Sequence, residues 1–166
     1  MSAPAFDELL RKLVDEGVGF VLVGGLALNA WGVVRGTKDV DVVAGPDPAN
    51  LKRLAAAVVS IGGHAQQHEA LLGSEISIAA ALNAEKQVTF ETDLGRLDVL
   101  RGLPGMAPYD ELRARAGEAD VLGVTVAVCS LEDLRAMKRG AGGKRDLADL
   151  EDLDAAHGDE PEADGG

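Results

Sequence analysis

The chain of 166 residues is long enough for one compact domain with its own core, and its single cysteine, Cys129, allows no intrachain disulfide. Aromatic residues make up only 3% of the sequence and the net charge is −12, and both values argue against a general nucleic-acid binder with a base-stacking surface. No stretch has the length of a membrane span and the first residues lack the pattern of a secretion signal, so we expect a soluble cytoplasmic protein.

The first elements along the chain form a strand, a glycine turn and a helix. An amphipathic helix is predicted over Phe6–Glu16, a buried strand over Phe20–Val23 and a second helix from Leu26 to Trp31. Gly24 and Gly25 lie between the strand and the second helix. Because glycine lets an anion approach the backbone and amides at a helix start are unpaired, this turn is typical of a phosphate site.

A pair of carboxylates opens the next strand. The alternation in residues 39–43 places Asp39 and Asp41 on one face of a strand and the intervening valines on the other. Two carboxylates so close repel each other, and a divalent cation relieves that repulsion. Magnesium held by two carboxylates and by substrate phosphates is the usual arrangement, so the glycine turn and this pair together indicate nucleotide chemistry.

The middle of the chain contains one clear helix and one weakly patterned segment. Asp47 is a predicted N-cap with Pro48 at the first helical position of a helix that runs to about Ser60. The predicted buried face of this helix consists of Leu51, Leu54, Ala55 and Val58. Residues 62–86 are predicted as an irregular, partly helical insertion. Within it, His64 and His68 have the spacing of helical zinc ligands but lack a third ligand.

A hairpin is predicted where Val88–Glu91 and Arg96–Leu100 flank the turn residues 93–95. The alternation directs Leu97 and Val99 into the core and Asp98 away from it. A helix over Tyr109–Ala116 and a strand over Val124–Val128 follow.

Two helices close the chain. Ser130 is the predicted N-cap of the first, with Asp133 at its third position. The second is predicted from Lys144 to Ala156, and its apolar side consists of Leu147, Leu150 and Leu153. Residues 1–157 are therefore expected to form one domain, and residues 158–166 a disordered acidic tail.

Three motifs in this order resemble the nucleotidyltransferase superfamily of the DNA polymerase β type. They are Val23-Gly24-Gly25-Leu26-Ala27, the segment from Arg35 to Val42 around Asp39-Val40-Asp41, and the hairpin strand around Asp98. The residues from Ser130 to Lys138 and from Lys144 to Leu150 are similar to the C-terminal helices of one branch, the small nucleotidyltransferase toxins of bacterial abortive-infection toxin–antitoxin systems and their uncharacterised relatives. The resemblance implies an α/β (α+β) fold of the minimal nucleotidyltransferase type, with a small mixed sheet flanked by helices and closed by C-terminal helices.

The resemblance also implies an activity and its catalytic residues. Asp39, Asp41 and Asp98 match the three carboxylates that hold two Mg²⁺ ions around a nucleoside triphosphate, and Asp98 is in addition a candidate proton acceptor. Lys138 matches the catalytic, phosphate-contacting lysine of the toxin branch, and Asp146 its later aspartate. The implied reaction is in-line transfer of an NMP to a hydroxyl acceptor with release of pyrophosphate.

The implied nucleotide-binding residues are Gly24, Gly25, Arg35, Lys138 and Asp146. Arg35 precedes the carboxylate pair within reach of a bound phosphate, and its planar fork suits that anion. Many superfamily members have Gly-Ser at the turn, and the serine hydroxyl contacts the phosphates. This chain has Gly25 there, which offers only its N–H group.

Several alternatives stay open at the sequence level. The carboxylate pair fits the solvent face of an amphipathic strand, and the domain fits a catalytically inactive antitoxin or assembly partner. A dinucleotide-binding fold lacks support because no third glycine falls at its fingerprint position. The acceptor is either an RNA 3′ end, with a cognate antitoxin as partner, or a small antibiotic-type hydroxyl compound. The densest basic cluster, which would favour RNA, consists of Arg135, Lys138, Arg139, Lys144 and Arg145.

Overall fold

The computed structural model describes residues 4–159, which contain seven helices and one mixed sheet of eight strands. The helices are α1 (Phe6–Asp15), α2 (Gly24–Ala30), α3 (Pro48–Ser60), α4 (Glu75–Ala84), α5 (Tyr109–Arg115), α6 (Leu131–Ala141) and α7 (Lys144–His157). The strands are β1 (Phe20–Val23), β2 (Asp39–Ala44), β3 (His64–Gln67), β4 (Ala70–Leu72), β5 (Gln87–Thr92), β6 (Gly95–Leu100), β7 (Gly117–Val121) and β8 (Val124–Val128). The predicted fold class is confirmed. Residues 160–166 of the predicted acidic tail lie outside the described residues.

The sheet has the order β4-β3-β5-β6-β2-β1-β8-β7. Its central strands β2 and β6 pair in parallel, and the register places Asp41 opposite Asp98 and Val42 opposite Val99. Strand β1 pairs antiparallel with β2 and parallel with β8. The carboxylate pair and the third carboxylate therefore lie on adjacent strands at the centre of the sheet.

The core is built almost entirely from aliphatic side chains, as the low aromatic content predicts. The central strands contribute the fully buried Val40, Val42 and Leu97, and Phe90 is the one phenylalanine without exposed surface in the described part of the chain.

The predicted N-caps of two helices are present. The N-cap of α3 is confirmed, since the Asp47 side chain accepts a hydrogen bond from the backbone N–H of Asn50. The N-cap of α6 is confirmed as well, since Ser130 accepts one from the Asp133 amide.

Two hairpins are absent from the sequence-based prediction. The segment 62–86, predicted as irregular and partly helical, contains the hairpin of β3 and β4 in addition to α4, and β7 pairs with β8 in the second hairpin. The two-residue turns are His68-Glu69 and Leu122-Gly123, and all four residues have positive φ. Such primed turns usually carry Asn-Gly or Asp-Gly, so these sequences gave no turn signal.

The last helix buries a different face from the predicted one. Leu153 is buried in α7, but Leu147 is 51% exposed, and the other buried residue of this helix is Asp149. The predicted apolar stripe was therefore wrong at Leu147. The helical face that contains Asp149 instead meets cationic side chains.

No helix among the described residues combines the length and the apolar composition that crossing a membrane requires.

Candidate active site

Three carboxylates meet on one face of the central strands. One oxygen each of Asp39, Asp41 and Asp98 can be chosen so that all lie within 4.8 Å of one another. The strand register explains this arrangement, because Asp41 is directly opposite Asp98 and Asp39 is one pleat away on the same face. The interpretation of the Asp39–Asp41 strand as an ordinary solvent face is therefore unsupported.

Asp98 lies deeper than the sequence predicts. Its side chain is on the face opposite to Leu97 and Val99, as alternation requires, but it is only 8% exposed. Its Oδ1 atom is buried and has no hydrogen-bond partner among the described residues. A buried carboxylate oxygen without a donor is costly, and a bound cation would satisfy it.

The electrostatics of the cluster also fit a cation. Burial, followed by the charges of Asp39 and Asp98, raises the pKa of Asp41 to about 8. Burial and the charge of Asp98 likewise raise the pKa of Asp39 above its ordinary value. Ionising Asp41 beside its neighbouring carboxylates without a cation is therefore unfavourable near neutral pH. Carboxylates in this arrangement fit Mg²⁺, which prefers oxygen ligands and completes its shell with substrate phosphates and water.

A cavity of about 220 Å³ opens beside the carboxylates. Its lining joins the glycine turn, the segment before β2 and the C-terminal helices, and comprises Gly24, Gly25, Leu28, Arg35, Gly36, Thr37, Lys38, Asp39, Asp41, Lys138 and Arg145. Four of these side chains are cationic and two are carboxylates of the cluster. The cavity is consequently suited to an anionic ligand that reaches the carboxylates together with a divalent cation.

The two glycines are required by close packing. Gly24 has φ of +68°, and a Cβ there would overlap the side chain of Asp41. A Cβ at Gly25 would lie 2.7 Å from Thr37 Oγ1 and 2.9 Å from Thr37 Cβ. The turn thus packs directly against one carboxylate and against the segment that leads to the other.

A buried aspartate joins two of the cations. Asp149 on α7 is 1% exposed, and it forms ion pairs with Arg35 and, at 2.8 Å, with Lys138 Nζ. Asp146, one turn earlier, lies 3.5 Å from Lys138 Nζ and accepts a hydrogen bond from the Gly143 amide at the start of α7. Sequence reasoning assigned Asp146 and missed Asp149. The spacing could have indicated Asp149, because it lies three residues after Asp146 and therefore on the same face of the helix.

The structure brings together every residue that the sequence predicted for the site, with Asp146 reaching the cavity through Lys138. Of the predicted basic cluster, Lys138 and Arg145 line the cavity and Arg135 does not. Arg135 is 5% exposed, pairs with Asp154 and donates to the Gly158 carbonyl, so it is a structural residue. His64 begins a strand and His68 lies in a turn beside Glu85. The two histidines therefore do not lie one turn apart on a helix, which the predicted zinc-ligand spacing requires.

Cys129 is buried, and this burial raises the pKa of its thiol to about 12. The prediction that it is an inert core residue agrees with both observations.

One protein family matches nearly the whole chain. Its model, described as nucleotidyl transferase AbiEii toxin of a type IV toxin–antitoxin system, matches residues 8–164. The chain belongs to the AbiEii family. The resemblance drawn from the glycine turn and the carboxylates is thereby confirmed, and this AbiEii-family chain is a nucleotidyltransferase by family. No curated protein matches its sequence significantly.

Solved structures show the same fold. The AbiEii-family chain is similar to the antibiotic-resistance factor ANT(2'')-Ia, with 15% identity over 92% of this chain and 82% of that one and a TM-score of 0.63. It is similar to the lincosamide antibiotic adenylyltransferase LnuA, with 14% identity over 92% and 96% and a TM-score of 0.63. An antigenic nucleotidyltransferase-like protein from Paracoccidioides brasiliensis has 17% identity over 93% and 78% and a TM-score of 0.57. At these identities the likeness concerns the fold.

Proposed function

We propose that the protein is a magnesium-dependent nucleotidyltransferase that moves an NMP from a nucleoside triphosphate to the 3′ hydroxyl of an RNA, as the toxin of a toxin–antitoxin pair. The observation that carries the proposal is the cluster of Asp39, Asp41 and Asp98 beside a cationic cavity that the glycine turn helps to line. Membership of the AbiEii toxin family supports a cognate antitoxin as partner. RNA as acceptor is what the resemblance to the toxin branch implies.

The position of each residue in the site suggests its role. Asp39, Asp41 and Asp98 would hold two Mg²⁺ ions, which supply charge neutralisation at the phosphates and lower the pKa of the acceptor hydroxyl. Arg35 and Lys138 line the cavity and bind phosphate oxygens, while Gly24 and Gly25 let those oxygens approach the backbone. Asp146 orients Lys138 through their ion pair.

The chemical step is an in-line displacement. The acceptor oxygen forms a bond to the α-phosphorus, and the bond from that phosphorus to the pyrophosphate oxygen breaks. The hydroxyl proton goes to Asp98, the carboxylate on the strand next to the Asp39–Asp41 pair. The products are a nucleotidylated acceptor and pyrophosphate.

A second acceptor class has an observation in its favour. A cavity of about 470 Å³ with a largely apolar lining lies at the far ends of β2 and β6. Val43 and Leu100 line it from the carboxylate face of their strands, and Ala44 and Val99 line it from the opposite face. A small hydroxyl compound with an apolar body would fit there. The test below distinguishes this acceptor class from RNA.

The test incubates purified protein with each α-labelled nucleoside triphosphate and Mg²⁺, and adds either total cellular RNA or a set of small hydroxyl compounds. We expect label on RNA, loss of transfer when the RNA 3′ diol is oxidised with periodate beforehand, and no transfer by the Asp41→Asn variant. Transfer to RNA should weaken as salt rises, because each neutralised phosphate releases counterions. Label on small hydroxyl compounds but never on RNA would favour the second acceptor class. No label on any acceptor and no pyrophosphate release would contradict the proposed activity.

A further inference from the structure

The glycine turn lacks the hydroxyl that many superfamily members place there, yet the hydroxyl of Thr37 lies next to it. Thr37 Oγ1 lies 2.7 Å and Thr37 Cβ 2.9 Å from the position that a Cβ of residue 25 would take. A serine hydroxyl at residue 25 would be bonded directly to that Cβ. Thr37 therefore occupies part of the space that a side chain at position 25 would need.

Thr37 also lines the 220 Å³ cavity, together with Gly25, Arg35 and Lys138. Its hydroxyl donates to the Asp39 carbonyl at 2.9 Å within its own loop. A threonine hydroxyl rotates about its C–O bond, so it can exchange this single local hydrogen bond for one to an anion in the cavity. Asp39, whose carbonyl would lose that bond, begins the strand that carries the carboxylate pair.

We infer that Thr37 is a triphosphate-binding residue, whose hydroxyl donates to a phosphate oxygen of the nucleotide in place of a side chain at position 25. The inference rests on the proposed function. It explains why Gly25 and Thr37 occur together, because a serine at position 25 and the threonine at position 37 would compete for one space. The hydroxyl is thus supplied by Thr37, in the segment just before the Asp39–Asp41 strand, and not by a side chain of the glycine turn.

The test uses inorganic tripolyphosphate with Mg²⁺ as the probe, since it carries the phosphates without a choice of base. Thr37→Val keeps the shape of the side chain and removes the hydroxyl, Thr37→Ser keeps the hydroxyl, and Thr125→Val is a matched control at an exposed position on β8. Binding is measured by titration calorimetry, and the melting temperature of each variant without ligand is measured in parallel.

We expect Thr37→Val to weaken tripolyphosphate binding about tenfold or more, the size expected for one hydrogen bond to a charged oxygen. Thr37→Ser and Thr125→Val should stay within about threefold of the parent. Equal binding by the parent and Thr37→Val, or equal losses in Thr37→Val and Thr37→Ser, would overturn the assignment while leaving the proposed function intact. A parent protein that binds neither tripolyphosphate nor any nucleoside triphosphate would overturn the proposed function and the assignment with it.

Discussion

At the scale of single residues, Asp41 combines partial burial with repulsion from two neighbouring carboxylates. Its pKa of about 8 in the metal-free protein lies far above the ordinary value of 3.8. The folded state therefore holds a proton that the unfolded chain releases, so stability is fully present below about pH 4 and is lost as pH rises toward 8. Protons also compete with the metal for this carboxylate, and metal affinity should rise over the same range.

Asp41→Asn should remove this pH dependence. In buffer with a chelator, we expect the melting temperature of the parent to fall between about pH 4 and pH 8 more steeply than that of the variant. At pH 8 the variant should be at least as stable as the parent, while its transfer rate should drop by at least about a thousandfold, since it loses a metal ligand. Parallel melting curves across this range would contradict the assigned pKa, and near-parental activity would contradict the metal site.

Gly25→Val tests the turn. Valine would drive its Cβ to 2.7 Å from Thr37 Oγ1 and block the approach of phosphate to the backbone, so triphosphate affinity should fall by about a hundredfold or more. Gly73→Val is the matched control, because a Cβ there meets nothing within 4 Å and the φ of Gly73 is not positive. Similar affinities for the two variants would mean that the turn has no special role in binding.

At the scale of elements, the loop after β6 is fixed to α6 by two glycines. A Cβ at Gly140 would overlap the Pro104 carbonyl and lie 2.7 Å from the Gly105 nitrogen, and a Cβ at Gly105 would overlap the Ala136 carbonyl. Backbone thus packs on backbone between the strand that carries Asp98 and the helix that carries Lys138.

Gly140→Ala should destabilise the fold although alanine favours helix. The helical gain of about 1 kcal/mol is smaller than the cost of displacing backbone, and we expect a net loss of about 1–3 kcal/mol in urea unfolding. Gly117→Ala, where a Cβ has open space, should change the unfolding free energy by less than about 0.5 kcal/mol. An unfolding free energy equal to that of the parent would show that the loop can move away from the added methyl group without a loss of stability.

Helix α7 is connected to the segment before β2 through Asp149. Because Asp149→Asn would leave Arg35 and Lys138 without their buried counter-charge, we expect about 3 kcal/mol of destabilisation in urea unfolding. Asp152→Asn on the exposed side of the same helix should change the unfolding free energy by less than about 0.5 kcal/mol. An equally small effect in both variants would mean that the buried pairs contribute nothing net.

Elements with a local signal were predictable, and elements defined by distant contacts were not. The caps of α3 and α6 could be predicted because Asp47 and Ser130 act on amides three residues away. The β3–β4 and β7–β8 hairpins could not, since their turns lack the usual residues. The site shows the same division. The carboxylates follow from strand alternation, whereas the burial of Asp98 and the pairing of Asp149 with Arg35 depend on packing between remote segments.

For the whole molecule, ligand binding and stability should be linked. Magnesium with a nucleoside triphosphate binds the folded chain alone, so at a ligand concentration a hundred times Kd the unfolding free energy should rise by about 2.7 kcal/mol. In a chain of 166 residues this corresponds to an increase in melting temperature of roughly 5–10 °C. Scanning fluorimetry with each triphosphate, with and without Mg²⁺, measures the effect and identifies the preferred base. No shift with any triphosphate would contradict the nucleotide site.

The parallel register of β2 and β6 makes activity and correct folding inseparable. Asp41 and Asp98 are far apart along the chain and meet only through this pairing. A slip by one residue would turn Asp98 into the core and Leu97 toward the cavity. A chain still emerging from the ribosome therefore has no third carboxylate before β6 docks and no Lys138 before α6 follows. The cell that makes this chain is therefore exposed to its chemistry only after α6 has been synthesised and has packed in place.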